Sequence, residues 1–229
     1  MRSATRVARH EKRDMSAPDD ANFSAHDLAE RARARLCLDL PHDVFTHAGP
    51  PSRGDYLLNA WPDPPPPPGK PAAVLVGIVM RPAGATILLT QRCSTLRSHA
   101  GQISFPGGRI DPQDADPLAA ALREAHEEIA LTSSSVTPLG YLDPYQTGTG
   151  YRIVPVVALV STPIDLTLCE AEVEAVFETP LDFLMNPLNH QIVTRQHDGR
   201  RFYAITHGER YIWGATAGML RNLYERLYL

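Results

Sequence analysis

Apolar positions along the chain fall into short dense runs separated by Gly, Pro and Asp. AAVLVGIVM, Ala72 to Met80, has the unbroken character of a strand buried on both faces. TILLTQR, Thr86 to Arg92, follows across a Pro-Ala-Gly turn, so the two runs predict a hairpin. VTPLGYLDPYQ and YRIVPVVALV predict further strands, and Pro155 inside the second argues for an edge or a bulge. FETPLDFLM predicts a short helix or turn, and QIVTRQHDGRRFYAITH carries Asp198-Gly199 between two strand-like runs, a hairpin signal. Helical spacing occurs three times. SAHDLAERARARLCLDL predicts a helix capped by Ser24, with Asp27 three positions on and Leu28, Ala32, Arg35 and Leu36 on one side. Leu118, Ala121, Leu122, Ala125 and Ile129 form one apolar face behind an Asp116 cap and Pro117 in the first turn. Leu220, Leu223 and Leu227 mark a C-terminal helix. No internal repeat is visible. Strands interleaved with helices in this way predict an α/β sandwich around a mixed sheet.

Composition narrows the picture. The chain has 229 residues, is 43% hydrophobic and carries a net charge of -4, which gives no basis for expecting a nucleic-acid partner. Its longest apolar runs are too short to span a bilayer, which predicts no membrane segment. Cys37, Cys93 and Cys169 are far apart and form no CxxC, so a zinc site or disulfide framework is not expected and a reducing, cytoplasmic setting fits. Residues 1–24 read as a disordered basic tail, in which Met15 is a second candidate start. Residues 25–60 read as an N-terminal helix and connection, and 61–71 as a proline-rich linker. Five consecutive prolines make that linker a stiff spacer before a larger domain at 72–229.

The chemistry concentrates in FPGGRIDPQDADPLAAALREAHEEIAL, Phe105 to Leu131, which holds six carboxylates behind two glycines. Glu124, Glu127 and Glu128 fall at i, i+3 and i+4, a second helix face with Cβ atoms about 5–6 Å apart. Carboxylates at that spacing suit a hard divalent cation, Mg²⁺ or Mn²⁺, shared with phosphate oxygens. A solvated acidic helix carries the same pattern at a cost of only about 0.2–0.5 kcal/mol per like-charged pair. The glycines allow a close backbone approach, and a carbonyl there adds a possible ligand. Arg123 can orient a carboxylate, and Asp114 at the helix entry can hold Arg123.

Taken in order, these residues resemble the Nudix box. Gly108 matches its leading glycine; Arg123, Glu124, Ala125, Glu127, Glu128 and Leu131 match its second half. Three departures stand out. Asp114 replaces the first Glu, eight residues rather than seven separate it from Arg123, and Ala130 stands where Gly is usual. Upstream, LLTQRCSTLRSHAGQISFPGG is similar to the signature of the coenzyme A pyrophosphatase branch, through Arg92, Arg97, Gly101 and Phe105 to Gly108. Cys93 takes a position where Ser or Ala is usual.

The resemblance implies a Nudix-type α/β/α sandwich with a mixed β-sheet. It also implies metal-dependent hydrolysis of the pyrophosphate bond of coenzyme A, giving 3′,5′-ADP and 4′-phosphopantetheine. The implied metal ligands are Gly107, Glu124, Glu127 and Glu128. Arg123 orients the glutamates, Glu124 or Glu172 takes the proton from water, and Arg92, Arg97 and His99 face the substrate. Gln102 is instead a brace of the loop. Two alternatives stay open: another nucleoside diphosphate derivative (ADP-ribose, NADH or a dinucleoside polyphosphate), or a non-catalytic nucleotide-binding module. A homodimer is compatible with the resemblance. Glu170, Glu174 and Glu178 read as a solvated acidic loop, Trp213 and Tyr211 as core, and His190, His197 and His207 show no ligand spacing.

Overall fold

The computed structural model describes residues 23–40, 44–45, 53–60, 69–96 and 99–229. The basic opening up to residue 22, most of the proline run and Arg97 lie outside the described residues. The chain begins with helix α1 (Ala25–Arg35), strand β1 (Arg53–Gly54) and a 3₁₀ turn at Asp55–Leu57. Next come strands β2 (Lys70–Arg81), β3 (Gly84–Arg92), β4 (Ile103–Ser104) and β5 (Gly107–Arg109), then helix α2 (Pro117–Ile129). Strands β6 (Val136–Tyr141), β7 (Tyr145–Gln146), β8 (Tyr151–Val160) and β9 (Val173–Pro180) lead into helix α3 (Leu181–Met185). Strands β10 (Gln191–Thr194), β11 (Arg201–His207) and β12 (Arg210–Trp213) precede helix α4 (Ala215–Tyr228).

Strands β1 to β9 form one mixed sheet, and β10–β11–β12 form a separate antiparallel one. The spine of the large sheet is β2 parallel to β8, from Lys70↔Tyr151 to Val79↔Val160. Strand alternation then builds two cores. Val74, Val76 and Ile78 face α1, α3 and α4. Ala73, Leu75 and Val79 face α2 with Ala121, Ala125 and Ile129. The result is the expected α/β/α sandwich. Helix α1 begins as its sequence predicts, with Ser24 Oγ accepting from the Asp27 amide at 3.1 Å. Its buried side is Ala25, Leu28, Ala29 and Ala32, continued by Leu36, while Arg35 is exposed. This face packs in the same core as α4, so the N-terminal helix and the larger unit share apolar contacts.

Two features of the sheet make room for the site. The β2–β3 hairpin pairs only from Arg81↔Gly84 back to Ile78↔Ile87. Beyond that the strands part: β2 pairs with β5 (Val74↔Gly107) and β3 with β4 (Thr90↔Ser104). The loop carrying the two glycines therefore sits in a fork of the sheet. The second feature corrects the expectation for Pro155. It lies in an interior strand, paired with Val74 of β2. Its missing N–H costs nothing because its other side faces the gap between β6 and β7, where Leu142 donates to the Pro155 carbonyl at 3.0 Å.

Candidate active site

Helix α2 is held at both ends by local chemistry. Asp116 Oδ1 accepts from the Ala119 amide at 2.7 Å, and Ala130 closes the helix in the left-handed region at φ 56°. The alanines at 120, 121 and 125 are fully buried, so the helix lies close against the sheet. That closeness brings its acidic face under the glycine loop. The Gly107 amide donates to Glu128 Oε2 at 3.3 Å, and Arg92 Nη1 lies 3.5 Å from Oε1. A Cβ on Gly108 would lie 2.5 Å from the Glu124 carboxyl carbon, and one on Gly107 (φ 149°) would strike the Ala73 carbonyl. The two glycines thus serve separate ends. The first lets the chain pass over β2, and the second lets it rest on a carboxylate.

Glu128 is only 2% exposed, and burial pushes its carboxyl up to about 7. The Gly107 amide and Arg92 pull the other way, while Glu124 and Glu172 push it up further. Glu124 is raised by burial, opposed by Arg123, and raised again by Glu127 and Glu172. Glu172 therefore acts electrostatically on both carboxylates. Its backbone is pinned between the Cys93 amide and the Cys169 carbonyl. The neighbouring acids are engaged elsewhere: Glu174 accepts from the Ser94 amide, and Glu178 pairs with Arg81 and Thr86.

Arg123 ties the acidic face together. It reaches Asp114 through Nε and Nη2 at 3.1 and 2.9 Å, Glu124 at 3.0 Å, Glu127 at 3.1 Å and the Arg109 carbonyl at 3.0 Å. This fork holds Asp114 below the usual carboxylate range. The departures from the usual spacing have a geometric reading. Upstream of the extra residue, a turn closes from the Asp114 amide to the Asp111 carbonyl at 3.0 Å, and the shorter Asp side chain still reaches Arg123 Nη2 at 2.9 Å across the longer spacing.

As they stand, no three His, Cys, Asp or Glu side chains among the described residues are gathered to hold a metal ion. Arg123 occupies Glu124 and Glu127, and Glu127 is largely exposed. The donor chemistry nonetheless fits a hard cation: oxygen ligands only, two of them poorly hydrated and mutually repelling.

Beside the glycine loop opens a cavity of about 500 Å³. Arg92, His99, Gly107 and Gly108 line one side of it. His99, at φ 57°, places Nδ1 2.8 Å from Gln102 Oε1, and Gln102 in turn braces the loop through the Arg92 amide. The opposite wall was not foreseen. Phe202 and Trp213, 5.5 Å apart between ring centroids, face the cavity with Arg195, Arg200 and Arg201. Trp213 is therefore partly exposed wall rather than core, and Tyr211 is exposed at 44%. Asn59 fixes this wall by pairing with both the amide and the carbonyl of Arg201, each at 2.8 Å. No spacing rule links residue 59 to residue 201, so only the folded chain reveals the pairing.

A model described as the NUDIX domain matches residues 70–197. The chain is 43% identical over 157 residues to a protein of Escherichia coli (strain K12) called uncharacterized Nudix hydrolase NudL, covering 66% of this chain and 80% of that one. Among solved structures it is similar to a Nudix hydrolase from Alicyclobacillus acidocaldarius, at 21% identity, 68% and 91% coverage and a TM-score of 0.45. It is also similar to a C. elegans Ap4A hydrolase in a binary complex, at 23% identity, 51% and 83% coverage and a TM-score of 0.43.

Proposed function

The chain belongs to the Nudix family of hydrolases, and from that premise we propose that it cleaves the pyrophosphate bond of coenzyme A or a derivative, releasing 3′,5′-ADP and 4′-phosphopantetheine. The observation that carries this reading is the charge of the cavity beside the glycine loop. Its described lining holds Arg92, Arg109, Arg195, Arg200 and Arg201 against a single carboxylate, Asp55. An arginine-rich hollow with aromatic and apolar walls suits a polyphosphate joined to a base and an extended chain. The upstream signature from Leu88 to Gly108 supports coenzyme A in particular.

The residues divide the work. Glu124, Glu127 and Glu128, with the Gly107 carbonyl, would hold Mg²⁺ or Mn²⁺. A bound divalent cation supplies charge neutralisation of the pyrophosphate and acidification of the attacking water. Glu124 accepts the proton of that water, with Glu172 the alternative acceptor. Water adds to phosphorus, the bridging P–O bond breaks, and each product leaves as a phosphomonoester. Arg123 keeps Glu124 and Glu127 oriented through its anchor on Asp114. The Gly107 amide keeps Glu128 aimed at the fork. Arg92 and His99 position the diphosphate from the loop side, and the resemblance assigns the same task to Arg97, which lies outside the described residues.

A non-catalytic nucleotide-binding module is the second reading. One observation favours it: Arg123 engages two of the three glutamates, and no ready metal cluster stands among the described residues. A panel of substrates separates the possibilities. The expected result is a kcat/KM for coenzyme A at least tenfold above those for ADP-ribose, NADH and diadenosine tetraphosphate. A preference for one of those three would retain the hydrolase and change its substrate. Binding without turnover on all of them, with either metal, would favour the module.

A further inference from the structure

The cavity holds more positive charge than a diphosphate at the glycine loop uses. Arg92 and Arg109 line the cavity with Gly107–Gly108, where the proposed reaction sets the bond to be cut. Arg200 and Arg201 come from the other wall, at the turn and first residue of the β10–β11 hairpin, in the separate small sheet. Their neighbour Arg195 is already paired with Asp198, at 3.0 and 2.6 Å. Neither Arg200 nor Arg201 has a carboxylate partner within ion-pair distance among the described residues. Asp55, the one acid lining the cavity, has both oxygens engaged, by the Tyr145 hydroxyl at 2.8 Å and the Gly148 amide at 2.7 Å. The Arg200 guanidinium lies over Gly148: a Cβ there would be 3.3 Å from Nη1 and 3.3 Å from Asp55 Oδ2, so Arg200 stands near this acid without forming an ion pair with it.

The position of this pair is built. Asn59 clamps the Arg201 backbone on both sides, and the Asp198 carboxylate accepts from the Arg200 amide at 3.2 Å. Next to the arginines, Phe202 and Trp213 offer aromatic surface to a base. A nucleotide whose base stacked there, with its diphosphate at the glycine loop, would bring its ribose beside the hairpin. Two guanidiniums with no carboxylate in ion-pair distance among the described residues favour an anion of their own at the ribose end.

We propose that Arg200 and Arg201 bind a phosphomonoester on the ribose of the nucleotide, so that the site selects diphosphate substrates carrying a third, separate phosphate. This inference rests on the coenzyme A reading and sharpens it, because the 3′-phosphate of coenzyme A is such a group. The test compares wild type, R200A/R201A and R200K/R201K. Turnover is measured on coenzyme A and on dephospho-coenzyme A, and direct binding on 3′,5′-ADP and 5′-AMP. In the alanine pair, kcat/KM for coenzyme A should fall at least tenfold more than for the dephospho compound, through KM. The lysine pair should recover most of that difference. Wild type should bind 3′,5′-ADP at least tenfold more tightly than 5′-AMP, and the alanine pair should lose the preference. Equal losses on both substrates, or equal binding of the two nucleotides by wild type, would overturn the inference while leaving coenzyme A hydrolysis in place. A retained 3′,5′-ADP preference without coenzyme A cleavage would instead uphold the arginine site and reject the proposed reaction.

Discussion

Glu128 is a carboxylate almost without water, kept in place by one backbone amide and the ion pair with Arg92. Burying such a group disfavours its charge, so its presence is a cost to folding that function must explain. Replacing it with the isosteric amide removes that cost. Glu128→Gln should lower turnover by about two orders of magnitude or more, while its melting temperature equals or exceeds that of wild type. Turnover within a few-fold of wild type would remove Glu128 from the site. His190 makes the opposite kind of statement, about stability alone. It is buried, its Nε2 lies 2.6 Å from the Leu184 carbonyl, its Nδ1 has no partner, and its ring meets Tyr224 edge-on. Burial lowers it from 6.5 to about 4, assisted by the nearby Arg221. The folded chain thus holds the neutral ring. That contribution is fully present above the unfolded value of 6.5 and is lost as pH falls toward 4. Urea melts should show about 3 kcal/mol less stability at pH 4 than at pH 7 from this residue. In His190→Gln that part of the slope should vanish, and an unchanged slope would refute the assignment.

At the scale of elements, helix α2 shows how the sequence departs from its family pattern without losing the geometry. Ala130 adopts the left-handed conformation that a glycine would take freely, and the Leu131 amide still bonds back to Ala125. The methyl group there costs about 1 kcal/mol. Ala130→Gly should therefore raise stability by about 1 kcal/mol in denaturant melts, with kcat unchanged; a loss of stability would contradict the strained cap. This helix was legible from the sequence because every signal in it is local: Asp116 as cap, Pro117, the apolar face, and the i, i+3, i+4 glutamates. The hairpins at Gly84 and Gly199 were legible for the same reason. Pro155 was misread because its tolerance depends on a gap between two other strands. Trp213 was misread because its cavity is assembled from the 3₁₀ turn, the fork loop and the β10–β11 hairpin, which lie far apart in the chain. No periodicity reports on which side of a short strand faces an empty volume.

At the scale of the molecule, the matched family domain begins at residue 70, yet the fold does not. Helix α1 covers α4, with Leu28 and Ala32 fully buried and Phe23 edge-on to Tyr228 at 4.9 Å. Arg31 reaches the Leu227 carbonyl, and Asn59 clamps the cavity wall. Full burial of a leucine such as Leu28 contributes about 1.5–3 kcal/mol, a sizeable part of a small domain's margin. A chain starting at Lys70 should melt at least 10 °C lower than the full chain or aggregate; an equally stable Lys70 start would refute the shared core. No described helix is long and apolar enough to cross a membrane. What the whole molecule then presents is a forked mixed sheet, an acidic helix under two glycines, and an arginine-lined hollow beside them. The most direct test of this account is identification of the products after incubation with coenzyme A and Mg²⁺ or Mn²⁺. The account predicts equimolar 3′,5′-ADP and 4′-phosphopantetheine, both abolished by chelating the cation. Intact coenzyme A after prolonged incubation with either metal, or cleavage elsewhere than the pyrophosphate, would contradict it.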